Sequence, residues 1–190
     1  MRPCAYAASI VALATLIVCA GATHTVTIEH ELINAETPYS HVCSMTERTN
    51  GDVVATWQGG SNEKNADSSM WTATRSEATG TWSTPSVAVK FTAPIPTCLM
   101  NGVQWQDPNN PDHLTLVYHV GGGEDGECFI HDWKPFVSRS TDGGLTWGGQ
   151  TAAVPLSSLT PAAPNSSWIM GPVKNQCVLL SNGEVLCPSR

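Results

Sequence analysis

The stretch Ser140 to Trp147, reading S-T-D-G-G-L-T-W, restricts the fold of this chain more than any other. Asp142 can accept hydrogen bonds from the backbone of its own turn, Gly143 and Gly144 supply the positive φ angles that a tight turn needs, and Trp147 follows to be buried. Such a segment is a hairpin tip with an apolar anchor. Ser140, Asp142, Gly144, Thr146 and Trp147 therefore read as residues of geometry before residues of chemistry.

Aligned on that tip, the apolar runs of the chain repeat. The first unit has an alternating run from His41 to Thr46, an Asn50-Gly51 turn, a strand Val53 to Trp57, a polar loop, then Ser69 to Arg75 and Trp82. A second unit follows with Gly102 to Gln106, a Pro/Asn/Asp turn, Leu114 to Val120, Phe136 to Ser140 and Trp147. The two Trp anchors lie 65 positions apart, and Ser76 to Trp82 (S-E-A-T-G-T-W) reads as a decayed, shorter copy of the later tip. Four short strands per unit are expected, the last of them around each anchor. A third unit opens with Gln176 to Leu180, turns at Asn182-Gly183, a strong hairpin signal, and runs from Glu184 to Cys187. The pattern predicts an all-β chain holding about two and a half four-stranded blades of a β-propeller, an architecture that closes with about 4 to 8 blades. The expectation is of an N-terminal portion, truncated at its C-terminus, with an exposed strand edge.

Composition agrees with strands and turns. The chain has 16 Gly, 13 Pro and 7 Trp, and at 41% hydrophobic and 13% charged it suits one packed domain and not a disordered segment. Residues 1–22 form an apolar run after Arg2 that ends in Ala20-Gly21-Ala22, which reads as a secretory signal peptide, a signal anchor being the alternative. Residues 23–38 are then a lead-in and 39–190 the propeller domain, secreted and without stable membrane insertion. Removing Arg2 from 9 Lys+Arg against 16 Asp+Glu leaves a net charge of −8, which argues against a nucleic-acid partner. Cys43, Cys98, Cys128, Cys177 and Cys187 remain, an odd number, so one is free or pairs elsewhere. Cys177 and Cys187 lie opposite one another across the last hairpin, where a disulfide and two inert thiols are both open. Asn165-Ser166-Ser167 is a glycosylation acceptor. Glu124, Asp125 and Glu127 fit no cation loop by spacing, and neither a metal nor a cofactor is expected.

In a propeller, side chains at the starts of the inner strands converge on one pocket. His41, Glu63, Asp67, Asn101, Lys174 and Asn175 fall at equivalent ends of the repeated units, and a turn alone does not require them. Glu63 and Asp67 are the candidates for catalysis; His41, Asn101, Lys174 and Asn175 are the candidates for substrate binding. Each has a plainer reading: a turn Asp at Asp67, a satisfied strand His at His41. Trp57, Trp71, Trp105 and Trp168 could stack on sugars, though core packing is the commoner use, and Arg75 and Arg139 read as structural ion pairs.

The order Ser-x-Asp-x-Gly-x-Thr-Trp resembles the Asp-box of the sialidase superfamily. From Tyr39 to the end the chain is similar to the N-terminal part of the BNR/Asp-box sialidase-like family. The resemblance rests on S-H-V-C-S (Ser40 to Ser44), N-G-D-V-V-A-T-W-Q-G-G (Asn50 to Gly60), L-T-L-V-Y-H-V-G (Leu114 to Gly121), the Asp-box, and G-P-V-K-N-Q-C from Gly171. It implies a six-bladed propeller and glycoside hydrolysis, with carbohydrate as the partner. Sialidases use a Tyr nucleophile in place of the usual carboxylate, together with an acid/base Asp and three arginines that hold the sugar carboxylate. By position Asp67 matches the acid/base Asp. The family's Arg-Ile-Pro motif is missing, and His41 stands near its place. The Tyr/Glu pair and two arginines belong to later blades. The resemblance thus implies a secreted sialidase-like hydrolase of terminal anionic sugars; a non-catalytic binding propeller and an enzyme acting on uronic acids are the alternatives.

Overall fold

The computed structural model describes residues 28–33, 37–63, 65–90, 98–121, 134–148, 154–155, 172 and 174–188. Among them every regular element is a strand. β1 (Tyr39–Glu47), β2 (Val53–Gly60), β3 (Ser69–Arg75) and β4 (Ser86–Val89) pair in sequence order as one antiparallel sheet. β5 (Cys98–Asp107), β6 (Asn110–Gly121), β7 (Lys134–Ser140) and β8 (Val154–Pro155) repeat the arrangement, and β9 (Val178–Leu179) with β10 (Val185–Leu186) makes a separate hairpin. Two meanders and a hairpin are the blade pattern of a propeller. The fourth strands differ from expectation: they follow the Trp anchors instead of containing them. Trp82 makes a lone bridge to Arg75 and packs, partly buried, against Ala55, Trp57 and Ala73, while Trp147 follows the turn and is buried in the core between the sheets.

Period-two alternation decides what each strand buries. From β2, Val54 points toward the second sheet and joins Met70, Val89, Leu99, Leu114, Leu116, Tyr118 and Trp147 in the core between the sheets. Ala55 and Trp57 point the other way and pack with Ala73 and Ile33 of the lead-in, which Arg75 also grips through the Glu31 carboxylate at 2.7 Å. On the far face of the second sheet Val117 and Val137 pack against Trp105.

The tip after β7 shows why its sequence is what it is. Ser140 Oγ donates to Asp142 Oδ1 at 2.7 Å and accepts from Gly144 N at 2.8 Å, while Thr146 N donates to Asp142 Oδ1 at 2.9 Å. Burial alone would raise the Asp142 carboxyl, but the bonds from Thr146 and Ser140 outweigh it and hold it below the usual carboxylate range. The tip then seats on the first sheet: a Cβ at Gly144 would lie 2.9 Å from Val54 Cγ1. Arg48, in the β1–β2 turn, reaches across to Asp112 at 2.6 Å and also holds Asp52 at 3.3 Å.

In the last hairpin Gly183 has φ 84° and Cys177 and Cys187 are joined by a disulfide, Cα atoms 4.3 Å apart. Val178, Leu179 and Leu186 are each more than half exposed there. Cys98 is disulfide-bonded and Cys43 is a free, exposed thiol. Residues 1–22, expected to be a signal peptide, and Glu124, Asp125, Glu127, Cys128, Asn165 and Trp168 lie outside the described residues. No helix among the described residues is long and apolar enough to cross a membrane.

Candidate functional site

Three residues other than glycine hold a positive φ among the described residues: Val42 (45°), Asn101 (47°) and Lys174 (75°). Each falls near the start of an inner strand or its lead-in, at matching places in the three units. A left-handed backbone costs about 1–3 kcal/mol at such positions, and for the β-branched Val42 it is a genuine outlier. Strand pairing slips at two of these kinks, between His41 and Cys43 and between Met100 and Val103. Bulges of this kind re-aim the side chains beside them.

The start of β1, the end of β2 and the start of β5 lie at one end of the sheets. Ser68 Oγ donates to the Leu99 carbonyl at 2.8 Å, and Gln58 lies 3.3 Å from Met100 Sδ. His41 and Glu63 meet there, with Nε2 to Oε1 at 3.9 Å and both side chains about two-fifths exposed, 41% and 43%. Tyr39 joins them. Its ring centroid is 5.8 Å from that of His41, and burial, followed by the charge of Glu63 and a hydrogen bond to it, pushes its phenol up to about 12. Gln58, fully buried, fixes the loop by donating to the Glu63 carbonyl at 2.8 Å.

Asp67 closes the same loop. Its carboxylate accepts from Ser61 N and Ser61 Oγ, each at 3.0 Å, and Asn65 steadies Ser61 Oγ at 2.7 Å. The carboxylate is exposed and already engaged. Asn101 is 2% exposed, so its role is at the kink of β5. Its backbone hydrogen-bonds His119, whose imidazole burial lowers to about 4, leaving a neutral ring under the site.

Lys174 and Asn175 are exposed, and among the described residues no hydrogen bond or ion pair joins them to His41, Glu63, Asp67 or Asn101. Their place is set by Gln176. Its Nε2 donates to the Gln104 carbonyl at 3.0 Å and its Oε1 accepts from Ser44 Oγ at 3.3 Å, while Gln104 N donates to Ser44 Oγ at 3.0 Å. One polar side chain from each unit thus meets at the inner strands. Arg75 is committed to Glu31, and Arg139, exposed, lies within β7 opposite Thr115, at the other end of the second sheet. No group of three or more His, Cys, Asp or Glu side chains among the described residues could hold a metal.

Tyr39, Gln58, Gln104, Gln176 and His119 escape a reading by sequence. A polar residue inside an apolar run, as at Gln58 and Gln104, was the available signal.

The architecture matches solved structures. A Hadza microbial sialidase, Hz136, aligns at TM-score 0.63 with 11% identity over 77% of this chain and 31% of its own. A Trypanosoma rangeli sialidase, solved with 2,3-difluorosialic acid as a covalent intermediate, aligns at TM-score 0.56 with 15% identity over 83% of this chain and 26% of its own. A protein of unknown function from Dyadobacter fermentans aligns at TM-score 0.51 with 15% identity over 77% of this chain and 45% of its own. Likeness at these identities concerns the fold, and this chain spans less than half the length of each of the three. No curated protein matches the sequence. The BNR repeat-like domain profile matches residues 51–190, and the chain belongs to that family.

Proposed function

We propose that this chain contributes the first part of the substrate face of a secreted sialidase-like glycoside hydrolase that cleaves terminal, anionic sugars from glycoconjugates. One observation carries the reading: His41, Glu63 and Asp67, singled out by their place in the repeat, belong to one loop and strand start. In this reading Asp67 gives a proton to the leaving oxygen, and Glu63 with His41 orients the sugar on the leaving side of that bond. Lys174 and Asn175 approach from the third unit, and Asn101 supports the floor through its kink. General-acid catalysis of this kind contributes about 10²–10⁴-fold to a rate. Secretion follows from the reading of residues 1–22 as a leader.

Turnover of a fluorogenic sialoside by protein carrying this chain tests the proposal. Asp67→Asn should lower it at least 100-fold, by the same magnitude. Unchanged turnover removes Asp67 from the mechanism. The engagement of the Asp67 carboxylate by Ser61 favours a second reading, a non-catalytic carbohydrate-binding propeller. Calorimetric binding of a sialoside or neutral glycoside without turnover selects it.

A further inference from the structure

Tyr39 and His41 are spaced two apart on β1, so their side chains leave the same face of the strand. Their ring centroids are 5.8 Å apart and their planes differ by 31°, which makes a shallow panel about as wide as a six-membered sugar ring. The panel is held from several sides. The kink at Val42 ends the regular pleat directly after His41. Glu63 faces both rings, 3.9 Å from His41 Nε2, and Gln58 fixes the Glu63 backbone from below at 2.8 Å. Gln58 Oε1 remains a buried, unpartnered acceptor next to this loop. In front the panel is open, since the His41 side chain is 41% exposed.

An aromatic face attracts the C–H side of a pyranose, while carboxylates at its rim accept hydroxyl protons. We propose that Tyr39 and His41 form a stacking platform for a pyranose ring, with Glu63 accepting one of its hydroxyls. The Glu63 carboxylate, facing both rings, opposes a negatively charged sugar ring. The platform therefore takes a neutral sugar of the glycan and not the one bearing a carboxylate. This rests on the carbohydrate reading above and adds the class of sugar and a residue, Tyr39, that the reading does not use.

The test is saturation-transfer NMR and calorimetry with methyl β-D-galactopyranoside, methyl α-D-glucopyranoside and the methyl glycoside of N-acetylneuraminic acid. A neutral glycoside should bind wild-type protein and shift the Tyr39 and His41 ring protons upfield. Tyr39→Phe, which keeps the ring, should stay within threefold of wild type. Tyr39→Leu, which fills similar space without a π face, should weaken binding about tenfold, the value of one stacking contact. Unchanged urea midpoints for both variants separate loss of stacking from loss of fold. If a glycoside binds but Tyr39→Leu binds as well as wild type, the platform is wrong while the carbohydrate reading stands. If only the sialic acid glycoside binds and the ring protons do not move, the neutral-sugar assignment is overturned. If none of the three binds, both ideas fall together.

Discussion

Replacing Gly144 by Ala tests whether the hairpin tip of the second unit is seated on the first. Gly144 has φ 91°, and a Cβ there would lie 2.9 Å from Val54 Cγ1 and 3.1 Å from Leu114 Cδ1. Both neighbours are fully buried, Val54 in the first sheet and Leu114 in the second, so neither can swing away. A left-handed backbone costs an L residue about 1–2 kcal/mol, and a methyl forced into a packed core about 1–3 kcal/mol more. The expected loss for Gly144→Ala is therefore about 2–5 kcal/mol. Gly80 provides the control, because it has φ 65° but its added Cβ would meet nothing closer than Arg75 Nη2 at 3.6 Å. Gly80→Ala should show the backbone cost alone, about 1–2 kcal/mol. Urea unfolding followed by Trp fluorescence reads both, through the midpoint at constant slope. Adding Val54→Ala to Gly144→Ala removes the obstructing methyls, so the double variant should be more stable than the sum of the two single losses predicts. Equal losses at Gly80 and Gly144, together with strict additivity, would refute the seating of one unit on the other.

Other expectations concern charge and protonation. His119 has a folded pKa of about 4 against about 6.5 unfolded, so its contribution is complete above pH ~6.5 and is lost as pH falls toward 4, about 3 kcal/mol in all. Urea midpoints measured from pH 7 to 4.5 should fall in wild type and much less in His119→Gln. Arg48→Met removes the bond from the first unit to Asp112, whose side chain is 64% exposed, and should cost about 1 kcal/mol, a difference that narrows in 1 M salt, roughly as screening requires. Of the three tyrosines in the sequence, Tyr39 is pushed up to about 12 and burial raises Tyr118 as well. Absorbance at 295 nm should then show Tyr39 and Tyr118 still largely protonated in the folded protein near pH ~11 and both ionised in urea.

Much of the fold is legible because the same signals occur twice. The apolar alternation of β1, β2, β5 and β6, the Asn50-Gly51 turn and the two Trp anchors all follow local rules that the tertiary structure obeys. Sequence alone places β4 and β8 at the anchors because a Trp after a turn looks like a strand residue, whereas Trp82 and Trp147 pack into the hydrophobic clusters before the outer strands begin. For the site, position in the repeat led to His41, Glu63 and Asp67. It could not lead to Tyr39, whose partner Glu63 arrives from a loop more than twenty residues on. Nor could it reveal the kinks, since Val42 and Lys174 adopt a backbone their own propensities disfavour and only the surrounding sheet enforces.

Arg48 and the Gly144 tip have a consequence for biosynthesis. Because the tip of the second sheet closes over a wall supplied by the sheet that precedes it, each later segment inherits its landing surface from an earlier one. Emergence from the ribosome delivers the segments in that same order. A chain with its two sheet-coding regions exchanged would keep every residue and lose the template on which the next piece is laid.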